Sequence, residues 1–339
     1  MVGLSTSLCF LICCASLNSN LRPQWRVLSQ EGFGEAGPYA SIIFFDELNG
    51  LALNALGLAS TTDGGAHWIE RLDSGNRGFY RMRFVNRQKG WIIGAERKNT
   101  EEDSVVGPRS HKPMIVRTED GGITWREIKL DRFLGSEGAS FSAFHSMCLG
   151  PSGTAWIVGD GGIVEATIES DALQTSHVTM TGAELNDVSC LDSGEVWATG
   201  RNGLIMHYQQ GKWESIQYPD RNVLFGRVKV IGNAVWLIGG IQAKGQNEAH
   251  GLLLKIQNGN TWENKTPDEA GQLYDLDLTG NEGWLVGAKG NIYHTSNGGS
   301  VWRKEMGPTE NDLFSIFLLN KKRGWIGGDK LTVLGLNTN

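Results

Sequence analysis

Proline and cysteine are both scarce in this chain. Pro accounts for 8 of 339 residues, about half its usual share, and Gly follows no G-X-Y period, which excludes collagen. Of 5 cysteines, Cys9, Cys13 and Cys14 lie at the extreme N-terminus. That leaves Cys148 and Cys190 in the body, too few for a disulfide framework. No excess of basic charge exists: 31 Lys and Arg face 37 Asp and Glu, a net −6. A global nucleic-acid footprint is therefore not expected. Long apolar runs are also missing. Residues 2–17 form the one uncharged, mostly apolar stretch, and it is too short to span a bilayer as a helix. The mature chain should contain no transmembrane helix. With 40% apolar and 20% charged residues, the composition argues against intrinsic disorder.

The early apolar stretch predicts export. Residues 1–18 read as a secretory or lipoprotein signal. Leu11-Ile12-Cys13-Cys14 is a loose lipobox with Cys14 as the candidate for lipidation, and ordinary cleavage is the alternative.

What the chain has in excess is Gly (46) and Trp (12), and their order is periodic. Gly90-Trp91-Ile92-Ile93-Gly94 returns as Ala155–Gly159, Val196–Gly200, Val235–Gly239, Gly283–Gly287 and Gly324–Gly328. A degenerate copy, Gly50-Leu51-Ala52-Leu53, precedes them, with Leu in place of Trp. The steps from residue 51 are 40, 65, 41, 39, 48 and 41 residues. A period near forty, in seven copies, is the signature of propeller blades. A second Trp series (Trp68, Trp125, Trp213, Trp262 and Trp302) marks the fourth strand of most copies, and Trp25 stands alone at the start.

Between the two series lie turn signals. Thr61-x-Asp63-x-Gly65-x-x-Trp68 matches Thr118-x-Asp120-x-Gly122-x-x-Trp125, and Thr295-x-Asn297-x-Gly299-x-x-Trp302 is a third copy. In this Asp-box pattern the Asp or Asn side chain accepts backbone N–H bonds and Gly supplies positive φ, so these residues read as structural. The last copy lacks a fourth strand, and Trp25–Leu28 is an orphan fourth strand at the other end. The expected architecture is all-β: a single seven-bladed β-propeller of four-stranded blades over residues 22–336, monomeric, closed by the N-terminal strand completing the last blade.

The repeat register exposes equivalent positions. On the innermost strands one channel-facing position reads Ser41, Arg81, His145, Asp187, Arg227, Asp275, Ser315. Two residues on it reads Ile43, Arg83, Met147, Ser189, Lys229, Asp277, Phe317. This predicts a charged channel. Its charges either pair across or along a hydrated bore or form a polar binding site at one mouth. Arg77, Arg81, Arg83 and Arg87 crowd one blade, and with Arg227 and Lys229 they are the candidate partner-binding residues. Asp187, Asp275 and Asp277 are the acidic channel lining. Residues 95–113 are a polar insertion expected on the face of the blade-to-blade loops.

Catalytic and cofactor signatures are missing. The seven histidines are dispersed and make no H-E-x-x-H pair, so neither a metal nor another cofactor is expected. No G-x-S-x-G elbow or G-K-[ST] phosphate loop occurs. Carboxylate pairs are the enzyme alternative, because Asp-box propellers include glycosidases such as sialidases. Nothing in the pattern singles out an acid and a nucleophile.

The blade phrase F-x-D/N-x-x-x-G-W-x-V-G followed by T-x-D-G-G-x-x-W is carried best by Phe84–Gly94 and Gly283–Trp302. In it the chain resembles the photosystem II stability/assembly factors, the plastid high-chlorophyll-fluorescence factor and its cyanobacterial and bacterial relatives. The resemblance covers about residues 22–335. It implies a non-catalytic scaffold in the thylakoid lumen or periplasm that binds a newly made reaction-centre polypeptide where the host is photosynthetic. In a non-photosynthetic bacterium it implies an exported propeller with another partner. The family's Arg-rich surface would correspond to Arg77, Arg81, Arg83 and Arg87.

Overall fold

The structure is a computed structural model that describes residues 24–29, 41–97, 111–130, 141–169, 171–242, 249–257 and 261–337. The signal region, Cys14 and residues 98–110 of the insertion lie outside the described residues.

Seven antiparallel sheets succeed one another along the chain. Their innermost strands are Ser41–Phe44 (blade I), Arg77–Phe84 (II), Phe144–Leu149 (III), Leu185–Cys190 (IV), Val223–Ile231 (V), Leu273–Thr279 (VI) and Leu313–Asn320 (VII). Six sheets have four described strands. Blade III gains a fifth, Lys129–Leu130, which runs parallel to its outer strand. The expected closure holds. Gln24–Ser29 pairs antiparallel with Val333–Asn337 and completes blade VII. The architecture is the expected seven-bladed propeller. Among the described residues no helix is long and apolar enough to cross a membrane.

No single blade can bury its faces alone, so the core is distributed. It consists of seven apolar clusters, one at each junction between neighbouring blades. The tryptophan of each second strand occupies one of them. Trp325 of blade VII, for instance, stacks on Phe44 of blade I with ring centroids 3.6 Å apart. At blade I the short Leu51 takes this place, buried against Phe79 and Met82 of blade II. The third strand often sets a cation or histidine over that Trp. His207 stacks on Trp197, His294 on Trp284, and Lys255 lies above Trp236. That packing accounts for two of the dispersed histidines.

The three Asp boxes share one geometry. Asp63 Oδ1 accepts the N–H groups of Ala66 and His67, Asp120 Oδ1 those of Ile123 and Thr124, and Asn297 Oδ1 that of Val301. Thr61, Thr118 and Thr295 each accept the N–H of Gly65, Gly122 and Gly299 respectively. Those glycines have φ of +96°, +91° and +78°, where a side chain would be strained. Trp68 and Trp125 donate Nε1–H to the carbonyls of Gly65 and Gly122.

One register assignment needs correction. In blade III the channel-facing residues are Ser146 and Cys148, not His145 and Met147. Cys148 stands opposite Trp156, as Arg83 stands opposite Trp91 and Ser189 opposite Trp197. Met147 turns into the junction between blades II and III, where it is buried. The two body cysteines form no framework but do form one bridge. Cys148 and Cys190 are disulfide-bonded and join the innermost strands of blades III and IV.

Candidate functional site

The site arises from an irregularity repeated around the ring. In six of the seven innermost strands the register slips by one residue. The extra residues are Tyr80, His145, Asn186, Gly226, Tyr274 and Phe314. Each is a β-bulge, which bends the strand and re-aims a side chain. All six occur near the start of the strand, so they ring one mouth of the channel.

The Trp-x-x-Gly module explains why the bulge can form. The residue paired just before each slip is the module's last glycine: Gly94, Gly159, Gly200, Gly239, Gly287 or Gly328. A Cβ on any of them would come within 3 Å of a backbone carbonyl oxygen, that of Gly78, Ala143, Glu184, Leu224, Gln272 or Asp312. Only a hydrogen there lets the bulged strand approach. Blade I has Asn54 in place of this glycine, and the pairing of Ser41–Phe44 with Gly50–Asn54 shows no slip. The same glycine that gives the repeat its phrase therefore shapes the mouth.

Two adjoining cavities open there, about 210 and 350 Å³, and both are lined by Tyr80, Arg81, Leu224 and Gly226. The collar is aromatic: Tyr274 and Phe314 rings lie 4.7 Å apart, and Tyr80 meets the His145 ring at 5.8 Å. Three bulge side chains also tie their blade to the next. His145 Nδ1 donates to Leu185 O at 2.8 Å, Asn186 Nδ2 to Phe225 O at 3.0 Å, and Tyr274 Oη to Asp312 Oδ2 at 3.1 Å. Burial, and then the Asp312 charge, push the Tyr274 phenol up to about 12. It stays a neutral donor throughout the physiological range.

Below the collar lie the charges that the repeat register singles out. Arg83 Nη2 bonds Asp187 Oδ1 at 3.1 Å, and its Nε donates to Met147 O. Arg81 Nη2 stands 4.0 Å from the same carboxylate, and its buried Nε has no hydrogen-bond partner among the described residues. Lys229 Nζ lies 3.0 Å and Arg227 Nη2 3.8 Å from Asp275. Burial pushes the Asp187 carboxyl up, opposed by Arg83, the Ser146 hydroxyl and the Val228 N–H. Asp277 accepts the N–H groups of Leu278 and Leu318. The bore thus contains two paired charge clusters, one on Asp187 and one on Asp275.

The four arginines of blade II do not form one patch. Arg81 and Arg83 meet on Asp187. Arg77 sits at the mouth rim, donating to the Asp73 and Ser74 carbonyls and lying over the Phe79 ring. Arg87 belongs to the opposite face, paired with Asp46 at 3.4 Å. Their sequence spacing follows the strand axis from one face to the other. Of the bulge residues, sequence reasoning noted only His145, in the wrong register. The glycine of each module was the available signal for the rest. Among the described residues no group of His, Cys, Asp and Glu could hold a metal ion.

The chain is 21% identical over 328 residues to the photosystem II assembly lipoprotein Ycf48 of Synechococcus sp. (strain CC9902), spanning 91% of its own length and 87% of the other's. Among solved structures, YCF48 bound to D1 peptide matches with a TM-score of 0.66 at 21% identity, covering 93% of this chain and 97% of that one. YCF48 from Cyanidioschyzon merolae matches with a TM-score of 0.67 at 18% identity, covering 93% and 99%. A GH74 enzyme of Niastella koreensis also matches, with a TM-score of 0.66 at 14% identity, but this chain spans only 53% of it. No family model matches. The resemblance to photosystem II assembly factors therefore extends over nearly the whole chain.

Proposed function

We propose that this protein is an exported, non-catalytic scaffold that captures a segment of a newly made membrane-complex subunit at its channel mouth. The observation that carries the reading is the near full-length similarity to a protein described as a photosystem II assembly lipoprotein, together with the fold shared with YCF48 bound to D1 peptide. In a photosynthetic host the partner is the photosystem II reaction-centre polypeptide. The protein works as a monomer in the thylakoid lumen or periplasm, with Cys14 as the point of lipid attachment.

The mouth suits this role. Five side chains and the bare backbone of Gly226, from six blades, converge on it, each placed by its own bulge. They offer stacking surface (Tyr80, Tyr274, Phe314) and amide hydrogen bonding (Asn186), with Arg81 and Arg227 beneath. Aromatic residues and arginine are the side chains that dominate protein recognition energetically. The glycosidase alternative finds less support. Glycoside hydrolysis needs two carboxyls free to flank a sugar bond. Asp275 is engaged by Lys229 and by the N–H of Ile316, and Asp277 by two backbone N–H groups.

Peptides tiling the D1 polypeptide, titrated against the full chain by fluorescence anisotropy, test the reading. At least one should bind, and Tyr80→Ala should weaken it by about tenfold, the loss of one well-placed interface aromatic. Absence of binding to every peptide, with turnover of a xyloglucan or sialoside substrate, would overturn it.

A further inference from the structure

We infer that an acidic, extended stretch of the captured chain leaves the mouth over the junction of blades V and VI, where the structure carries a second, cationic site. This rests on the reading of the mouth as a polypeptide site and names where the bound chain goes next.

A cavity of about 920 Å³ lies at that junction, larger than either mouth cavity. It adjoins the mouth, because Gln272 and Tyr274 line both. Gly240 and Gly251 pack against the Gln272 side chain and the Gly271 carbonyl so closely that a Cβ on either would fall within 3 Å. Its wall carries Lys289, Lys304 and His250, with Asn291 as a further donor and Glu269 as the acidic residue present. Lys304 and His250 are exposed. The balance of charge is positive, within a protein of net charge −6. A local cationic site on an acidic protein selects carboxylates and repels basic segments.

Lys289 adds a second line. It occupies the left-handed region at φ +56°, in the single-turn segment Ala288–Gly290. Blade IV makes the same turn with Asn202 at φ +57°. Asn is favoured at such a position and Lys is not. The turn is held by Asp312, whose Oδ1 accepts the Lys289 N–H at 2.8 Å while its Oδ2 accepts the Tyr274 hydroxyl. One carboxylate therefore fixes both the aromatic collar and the backbone that presents Lys289. An unfavourable residue at a clamped position points to a use for its side chain. The occupant is an extended polypeptide rather than a small anion, because the cavity of about 920 Å³ is far larger than such an ion needs, shares its lining with the mouth and offers amides beside its cations.

The test uses the full chain and the tightest-binding of the tiled D1 peptides. Lys304→Glu and Lys289→Asn, the latter matching the blade IV turn, should together weaken binding by about tenfold and flatten its dependence on salt. Lys321→Glu/Lys322→Glu, on the opposite face, makes a larger change of net charge and should leave affinity unchanged. Carbodiimide coupling should join Lys289 or Lys304 to an Asp or Glu of the peptide, identified by mass spectrometry. Peptide binding that is unaffected by the groove substitutions, with cross-links elsewhere, overturns the groove and leaves the mouth standing. Binding of acetate or phosphate with equal loss on substitution, but no cross-linked peptide, identifies a small-anion site and also overturns it. No peptide binding at all removes both.

Discussion

Asp187 of blade IV and Val228 of blade V stand one repeat apart, and the carboxylate of the first accepts the backbone N–H of the second at 3.1 Å. The other carboxylate oxygen accepts the Ser146 hydroxyl of blade III and the Arg83 guanidinium of blade II. Asp275 with Ile316, Asp277 with Leu318 and Ser315 with Ile42 make the same step from one innermost strand to the next. Parallel innermost strands share no ladder, so these side chains take its place around the bore.

Asp187 is the most heavily engaged of them. Asp187→Ala leaves Arg81 and Arg83 without their carboxylate and the Val228 N–H without an acceptor. Breaking one side of a buried pair costs about 3 kcal/mol or more. Asp187→Asn should cost less, since a carboxamide oxygen can still accept the N–H. Urea denaturation of the two variants should rank them in that order.

The Asp boxes predict an acid limit to stability. The His67 N–H and further local bonds hold the Asp63 carboxyl at about 2. Asp120 is also held at about 2, because the bonds from Thr124, Thr118 and Ile123 outweigh the effect of its slight burial. Both lie below the unfolded value of about 3.9. A depressed carboxyl contributes stability above the unfolded value and loses it as pH falls toward the folded one. Acid unfolding should therefore develop between about pH 4 and pH 2. Asp63→Asn/Asp120→Asn, which copies the neutral box at Asn297, should be less sensitive to pH in that window when followed by circular dichroism.

The Cys148–Cys190 bridge closes a loop with a sequence separation of 42. Loop-closure entropy for that length corresponds to about 4 kcal/mol. Reduction with dithiothreitol, or Cys148→Ser/Cys190→Ser, should lower the unfolding free energy by a comparable amount, read as a lower urea midpoint at unchanged native fold. Alkylation and mass spectrometry on the unreduced protein should find neither thiol.

Gly239→Ala tests the origin of the mouth. The added methyl meets the Leu224 carbonyl, and relieving it requires the Gly226 bulge to move. Overpacking of this kind costs about 1–3 kcal/mol. Peptide affinity should fall along with stability, whereas an Ala at Gly153, where nothing lies within 4 Å, should leave affinity alone.

Most of the ring is legible in the sequence because its period is written in large residues. Trp91, Trp156, Trp197, Trp236, Trp284 and Trp325 each fill a junction between blades, and Trp25 marks the strand that closes it. The mouth is harder to read. A bulge inserts one residue into an alternating pattern and looks like ordinary scatter, so Tyr80, Tyr274 and Phe314 pass as surface positions and His145 slides into the place of Ser146. The four arginines of blade II are close in sequence but spread along a strand, which separates Arg77 from Arg87 by the depth of the ring. The disulfide joins residues one repeat apart, and two cysteines alone do not specify that they meet.

The bulges also separate two kinds of constraint. A residue in a regular ladder serves both its neighbours and its own side chain, so changing it disturbs the blade. Tyr80, His145, Asn186, Gly226, Tyr274 and Phe314 stand outside the pairing, and the adjoining glycines keep them there. Six positions around one opening, five of them now carrying side chains, can then vary while the ring beneath them keeps its register. A propeller built this way could acquire a new binding preference by substitution at six scattered codons, with no loop inserted and no strand re-paired.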